Sequence, residues 1–219
     1  MSEVVIFGSG QVAEVICYYL THESDHRVVG FTVDGDYLKE DTALGLPVVP
    51  FETVQEAFPP ERHGVFVAMS YRRLNAPRAQ KLAEARAKGY AAVSHVSPRA
   101  VVPAGFEAKA NTFIMEHNTV QPFVEIGENV IVWSGNHIGH HSRIGDNVFI
   151  ASHVVISGGV TIGDNCFLGV NATLRDNISI GSHCIVGAGA LILKDAPDHA
   201  VFPGQGTEPA AIRSDRLRG

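Results

Sequence analysis

From position 102 onward an aliphatic residue falls at every sixth position, through Val102, Ile114, Val120, Ile126, Val132, Ile138, Ile144, Ile150, Ile156, Ile162, Leu168, Leu174, Ile180, Val186 and Ile192, with Ala108 the one exception. Neither a helix, at 3.6 residues per turn, nor a strand, at two, produces a period of six. Four residues after these positions the side chains are mostly small or apolar, as in Val148, Val154, Val160, Cys166, Ala172, Cys184 and Ala190, and the residue directly after each aliphatic is often Gly. The segment Ile144-Gly145-Asp146-Asn147-Val148 returns as Ile162-Gly163-Asp164-Asn165-Cys166. Short strands with two inward side chains, joined by turns in which Gly and Asn accept unusual backbone angles, produce this pattern. Hexapeptide periodicity marks a parallel β-helix, in which each unit buries its apolar face only by stacking on its neighbours. With three hexapeptides per coil, residues 102 to 192 make five coils and vertical neighbours stand eighteen apart. Cys166 then lies between Val148 and Cys184 as an inward filler.

Residues 4 to 96 follow a different rhythm. Strand patterns at Val4–Phe7, Val28–Val33, Val65–Ala68 and Ala91–Val93 alternate with helical ones from about Gln11 to Leu20 and from Leu74 to Lys88. This βαβ order predicts a small parallel sheet covered by helices, an α/β Rossmann-like domain, with Ser97-Pro98 marking the junction to the repeats. After the first strand, Gly8-Ser9-Gly10-Gln11-Val12-Ala13 matches G-x-G-x-x-A, and Asp34 closes the second strand. Free backbone N–H groups at the start of the following helix suit a phosphate. The turn reads as a nucleotide site or, alternatively, as a structural glycine turn. Fewer than 100 residues precede the repeats, so no second domain remains for a dehydrogenase substrate.

Composition narrows the class. Hydrophobic residues make up 45% and charged residues 18%, as in folded globular domains. The net charge of -6 argues against nucleic acid as a partner, because phosphate neutralisation needs a basic face. The three cysteines, Cys17, Cys166 and Cys184, form no CxxC pair and suit a reducing cytoplasm. The first residues lack a basic segment and a long apolar run, so neither a leader nor membrane insertion is expected.

Histidine is the abundant reactive type, with eleven in the chain, and His137, His140, His141 and His153 fall near one level of the β-helix. With Ile138 inward, His140 and His141 lie on the next turn and project outward, one coil below Gly158 and Gly159. Three readings stand at this point. A histidine could act as general base on an attacking amine or hydroxyl while turn N–H groups hold the oxyanion. Several imidazoles could bind zinc, as in a carbonic anhydrase class with a similar β-helix. The cluster could also be surface histidines without a role.

The glycine turn at Gly8–Ala13, the size of the βα domain, the segment Asn136–Ser142 and the segment Ile162–Asn171 together resemble the bacterial sugar acyltransferases of the sialic acid O-acetyltransferase type. That group includes N-acetyltransferases acting on nucleotide-linked amino sugars. The resemblance implies a left-handed β-helix assembled as a homotrimer, acetyl-CoA as co-substrate between adjacent β-helices, a nucleotide-sugar on the N-terminal domain, and no metal. It implies that His140 is the base, with His141 beside it as a second candidate catalytic residue, and that Phe149, Gly158, Gly159, Gly187, Ala188 and Gly204 line the cofactor. For the acceptor it implies Gly8, Ser9, Gly10, Gln11, Asp34, Ser70, Tyr71, Asn136 and His137.

The chain departs from the group in three places. His141 stands where many members place an acidic residue. Ser70-Tyr71-Arg72-Arg73-Leu74-Asn75 replaces G-N-x-x-x-R, and the segment from Val201 to Pro209 replaces V-x-G-x-P-A-K. The organisation expected is a nucleotide-sugar domain over residues 1–97, an acyltransferase β-helix over 98–197 and a tail over 198–219. The expected activity is acetyl transfer to the amino group of a nucleotide-linked deoxyamino sugar, in glycan or lipopolysaccharide assembly in the cytoplasm. Alternatives are O-acetylation of a sialic acid or related sugar, a metal-dependent hydratase, and a non-catalytic binding trimer.

Overall fold

The computed structural model describes residues 2–204, 206–212 and 214–216. Strand β1 (Glu3–Phe7), helix α1 (Gln11–Glu23), β2 (Arg27–Val33), β3 (Thr42–Ala43), β4 (Leu46–Pro50), the short α2 (Val54–Ala57), β5 (His63–Val67), α3 (Ala76–Ala87) and β6 (Ala91–Ala92) form the first half. The sheet order is β3-β4-β2-β1-β5-β6, parallel except for the β3–β4 pair. That hairpin, closed by Leu44 and Gly45 with φ of 50° and 76°, was not apparent from apolar alternation. Helix α3 starts at Ala76, two residues after the expected Leu74, because Arg73, Leu74 and Asn75 all have positive φ (48°, 50° and 66°). Such a run is incompatible with a right-handed helix.

The second half is a stack of two-residue strands in three parallel sheets, the left-handed β-helix with hexapeptide repeats. Pairings run eighteen residues apart, as in Phe149↔Phe167 and Ile150↔Leu168. The inward residues of the repeat are buried at 0–4% exposure from Ile114 to Ile192, and the second inward set includes Val148, Cys166 and Cys184 at 0%. Two limits of the β-helix fall outside the expected ones. β7 (His95–Val96) already pairs with Phe113–Ile114, so stacking begins before Ser97-Pro98. The last strand, Val201–Phe202, pairs with Ile185–Val186 at a spacing of sixteen, so part of the expected tail is the shortened closing coil.

One face of the N-terminal sheet lies on the β-helix. Ile6, Ile16, Leu20 and Phe31 share a core with Phe113, Met115, Ile131 and Phe149, which point outward from one β-helix sheet. The opposite sheet face is covered by α2 and α3 through Val54, Leu82 and Ala85. Polar contacts complete the seam. Asn111 accepts from the Val67 N–H at 2.7 Å through its side-chain oxygen, and Asn75 donates to the Cys166 carbonyl at 3.1 Å. No helix among the described residues is long and apolar enough to cross a membrane.

Candidate active site

Each hexapeptide turn places its third residue after the inward aliphatic at positive φ, from Gly105 through Asn111, His117, Asn129, Gly135 and onward to Gly189. Gly reaches this region without steric cost, and Asn and His are enriched there among other residues. This accounts for much of the histidine abundance: His117, His141, His153, His183 and His199 all have φ between 58° and 62°. Of these, His183 and His199 stack with ring centroids 5.0 Å apart, but no group of three or more metal-ligating side chains occurs among the described residues.

His140 does not share that backbone conformation and is exposed on the turn, as its register predicted. Its N–H donates to the Gln121 side-chain oxygen at 2.8 Å, and its Nδ1 lies 3.1 Å from His141 Nδ1. The ring lies against Gly158, whose missing side chain makes room for it. Gly159, at φ 70°, follows on the same step. His137 is half-buried and heads the strand His137–Ile138, paired with Thr119 and Val155.

Asn136 points into the β-helix, not to its surface. It occupies the second inward position, 2% exposed, where its amide bonds Asn118 and the Trp133 carbonyl and accepts from Val154 N–H at 2.6 Å. It forms an internal ladder, an assignment the hexapeptide register already requires. Phe149 is likewise removed from an open site. It is 4% exposed beneath the N-terminal domain, with the Tyr71 ring 5.1 Å away and the Arg78 guanidinium 5.9 Å from its centroid. Tyr71 leans on Phe149 and Phe167 with half of its surface still exposed. Gly187, Ala188 and Gly204 do come together, since a Cβ on Gly204 would meet the Ala188 carbonyl oxygen at 2.7 Å. They follow the sheet that contains Ile185–Val186, whereas His140 follows the sheet that contains His137–Ile138. Within one chain the two sets occupy different edges of the β-helix.

A cavity of about 750 Å³ opens at the ends of β1, β2 and β5. Gly8, Ser9, Asp34 and Ser70 line it, joined by Arg72, Arg73 and Lys81, which were not among the expected site residues. Gly8 has φ of 113°, and a Cβ there would stand 2.8 Å from the Ala68 carbonyl oxygen, so a glycine is required for the turn. Asp34 does not act alone: Lys81 Nζ lies 2.6 Å from its carboxylate and 2.6 Å from Glu84. Burial opposes the charge of Lys81, but its bonds to Asp34 and Glu84 leave its pKa raised. Gly10 lines an adjoining cavity of about 450 Å³, and Gln11 is exposed at the start of α1.

Residues 123–158 and 159–194 match the family described as bacterial transferase hexapeptide (six repeats). The matched stretch lies within the β-helix and coincides with its hexapeptide repeats. No curated protein sequence matches the chain. Among solved structures, a variant of perosamine N-acetyltransferase from Caulobacter crescentus, in complex with CoA and GDP-perosamine, is 27% identical, with a TM-score of 0.80 over 93% of this chain and 94% of that one. PerB from the same organism, with the same two ligands, is 28% identical with a TM-score of 0.80 over 93% and 95%. The acetyltransferase domain of PglB from Neisseria gonorrhoeae, in complex with acetyl coenzyme A, is 23% identical with a TM-score of 0.78 over 95% and 98%, which speaks to the fold. Both halves of the chain therefore have counterparts in single known structures.

Proposed function

We propose that this protein is an acetyl-CoA-dependent N-acetyltransferase whose acceptor is the amino group of a nucleotide-linked deoxyamino sugar. The observation that carries the reading is the exposed His140 imidazole held over Gly158, on a β-helix that shares its whole-chain fold with an enzyme solved with CoA and GDP-perosamine. The cavity beside Gly8 and Ser9, with Arg72 and Arg73 on its wall, supplies room and positive charge for a nucleotide diphosphate.

In the proposed reaction the neutral amine attacks the thioester carbonyl, and His140 Nε2 accepts the amine proton as the tetrahedral intermediate forms. The C–S bond then breaks, giving the amide and the CoA thiolate, which takes up a proton. His140 lies on a different β-helix edge from Gly187, Ala188 and Gly204, so a site that contains both sets draws one from a neighbouring copy. A homotrimer with three such interfaces is accordingly part of the proposal, as is a cytoplasmic setting in which nucleotide-sugars and acetyl-CoA are both available.

The test is turnover with acetyl-CoA on a panel of GDP-, UDP- and dTDP-linked amino sugars, beginning with GDP-perosamine, and on the matching hydroxyl sugars. Loss of a general base costs about 10² to 10⁴ in rate. His140→Asn with near-normal turnover rejects the assigned base, and acetylation confined to hydroxyl acceptors rejects the amino-sugar assignment.

A further inference from the structure

Fifteen turn residues spaced by six run from Gly105 to Gly189 at positive φ, and fourteen of them are Gly, Asn or His. Phe123 is the other, at φ 67°. A bulky side chain in this region is an outlier that persists only where its surroundings hold it. Burial does not explain Phe123, whose side chain is 73% exposed. Its contact does point somewhere. The Phe123 ring lies 4.7 Å from the His141 ring, at 37° to it. His141 stands eighteen residues on, directly above it, and its Nδ1 lies 3.1 Å from His140 Nδ1.

Two facing Nδ1 atoms can bond only if one carries a proton and the other accepts. With Nε2 free to act as the base, His140 must hold its proton on Nδ1 and donate it to His141, whose own proton then sits on Nε2. No carboxylate, lysine or arginine is in hydrogen-bond or ion-pair reach of either imidazole among the described residues, so His141 is the group that fixes this tautomer. His141 can do so only while its ring keeps one orientation. On this exposed turn the aromatic neighbour it packs against, other than His140, is Phe123.

We propose that Phe123 is a positioning residue: by packing on His141 it holds the acceptor nitrogen that orients His140. The inference rests on the reading of His140 as base. It places the strained backbone of Phe123 in service of the site, since Asn or Gly would fit the turn better.

The experiment compares Phe123→Asn, Phe123→Tyr, His141→Gly, His140→Asn and the Phe123→Asn/His141→Gly double variant in the full-length protein, with acetyl-CoA and the preferred amino sugar. Asn and Gly both suit positive φ, so folding is retained and the melting temperature of Phe123→Asn is equal to or above that of the parent. Phe123→Asn lowers kcat about tenfold with both KM values unchanged, the size expected for a misplaced catalytic group, and Phe123→Tyr restores it. Because Phe123 acts through His141, the double variant is no slower than His141→Gly alone. Parental kcat in Phe123→Asn, a raised KM with kcat unchanged, or losses that multiply in the double variant would each overturn the proposal. An inactive His140→Asn beside a fully active Phe123→Asn defeats this inference alone, whereas an active His140→Asn defeats the underlying reading.

Discussion

The imidazole of His140 occupies the space that a side chain on Gly158 would need: a Cβ there would lie 2.6 Å from His140 Cε1 and 2.7 Å from Nε2. Gly158 is not in the left-handed region, so its backbone would accept alanine and the conflict is with the ring alone. Gly158→Ala should therefore displace the base and lower kcat by about 10- to 100-fold, since misplacements near 1 Å carry penalties of that order. Its thermal stability should stay close to that of the parent. The neighbouring Gly159→Ala should do the reverse to stability, losing roughly 1 kcal/mol, because Gly159 has φ of 70°. Steady-state kinetics and melting curves on the two variants separate these effects.

Much of this geometry could be read by counting. A period of six, three hexapeptides to a coil, sets His140 below Gly158 and Cys166 between Val148 and Cys184, and each of these placements is found. The same count also supplies a fact easily overlooked: Asn136 holds the second inward position, so its amide is spent on Asn118, Trp133 and Val154. The signal for Phe123 was present as well, since it interrupts a run of Gly, Asn and His at the third position after each aliphatic.

What the sequence withheld depends on contacts between the halves. Nothing local distinguishes Phe149, buried under Tyr71 and Arg78, from an outward aromatic free to meet a ligand. The consecutive left-handed residues Arg73, Leu74 and Asn75 follow no glycine signal. They are held by Asn75, whose side chain bonds the Cys166 carbonyl 91 residues away, and that distance places the cause beyond any local pattern.

Arg78 offers a test of how the halves are joined. Its side chain is fully buried and meets no carboxylate. Instead Nε donates to the Asn129 side-chain oxygen at 3.1 Å, and Nη2 donates to the carbonyls of Asn129, Asn147 and Val148 at 2.9, 3.3 and 3.3 Å. Burial pushes its pKa down to about 9, which still leaves it charged at neutral pH. Arg78→Met should cost about 3 kcal/mol or more, because buried acceptors lose a charged donor. Arg78→Lys should recover little, as one ammonium cannot span the fork of acceptors. Urea unfolding of the three proteins measures both effects.

His95 gives the fold an acid sensitivity separate from that of the site. It is 4% exposed, its Nε2 has no partner, and its ring packs 5.2 Å from Phe113 at the first rung of the β-helix. Burial lowers its pKa to about 4, with Glu23 pulling the other way and His26 adding to the depression. In the unfolded chain a histidine titrates near 6.5, so between about pH 6.5 and 4 the unfolded state binds the extra proton and stability falls as pH falls. The full span corresponds to about 3 kcal/mol, and none of it is lost at pH 7. Other groups also titrate below pH 5, so the informative quantity is a difference. The stability gap between the parent and His95→Leu should shift in favour of the variant by about that amount between pH 7 and pH 4. A gap that is the same at pH 7, 5.5 and 4.5 in urea titrations would show that His95 is protonated as readily in the folded protein as in the unfolded chain.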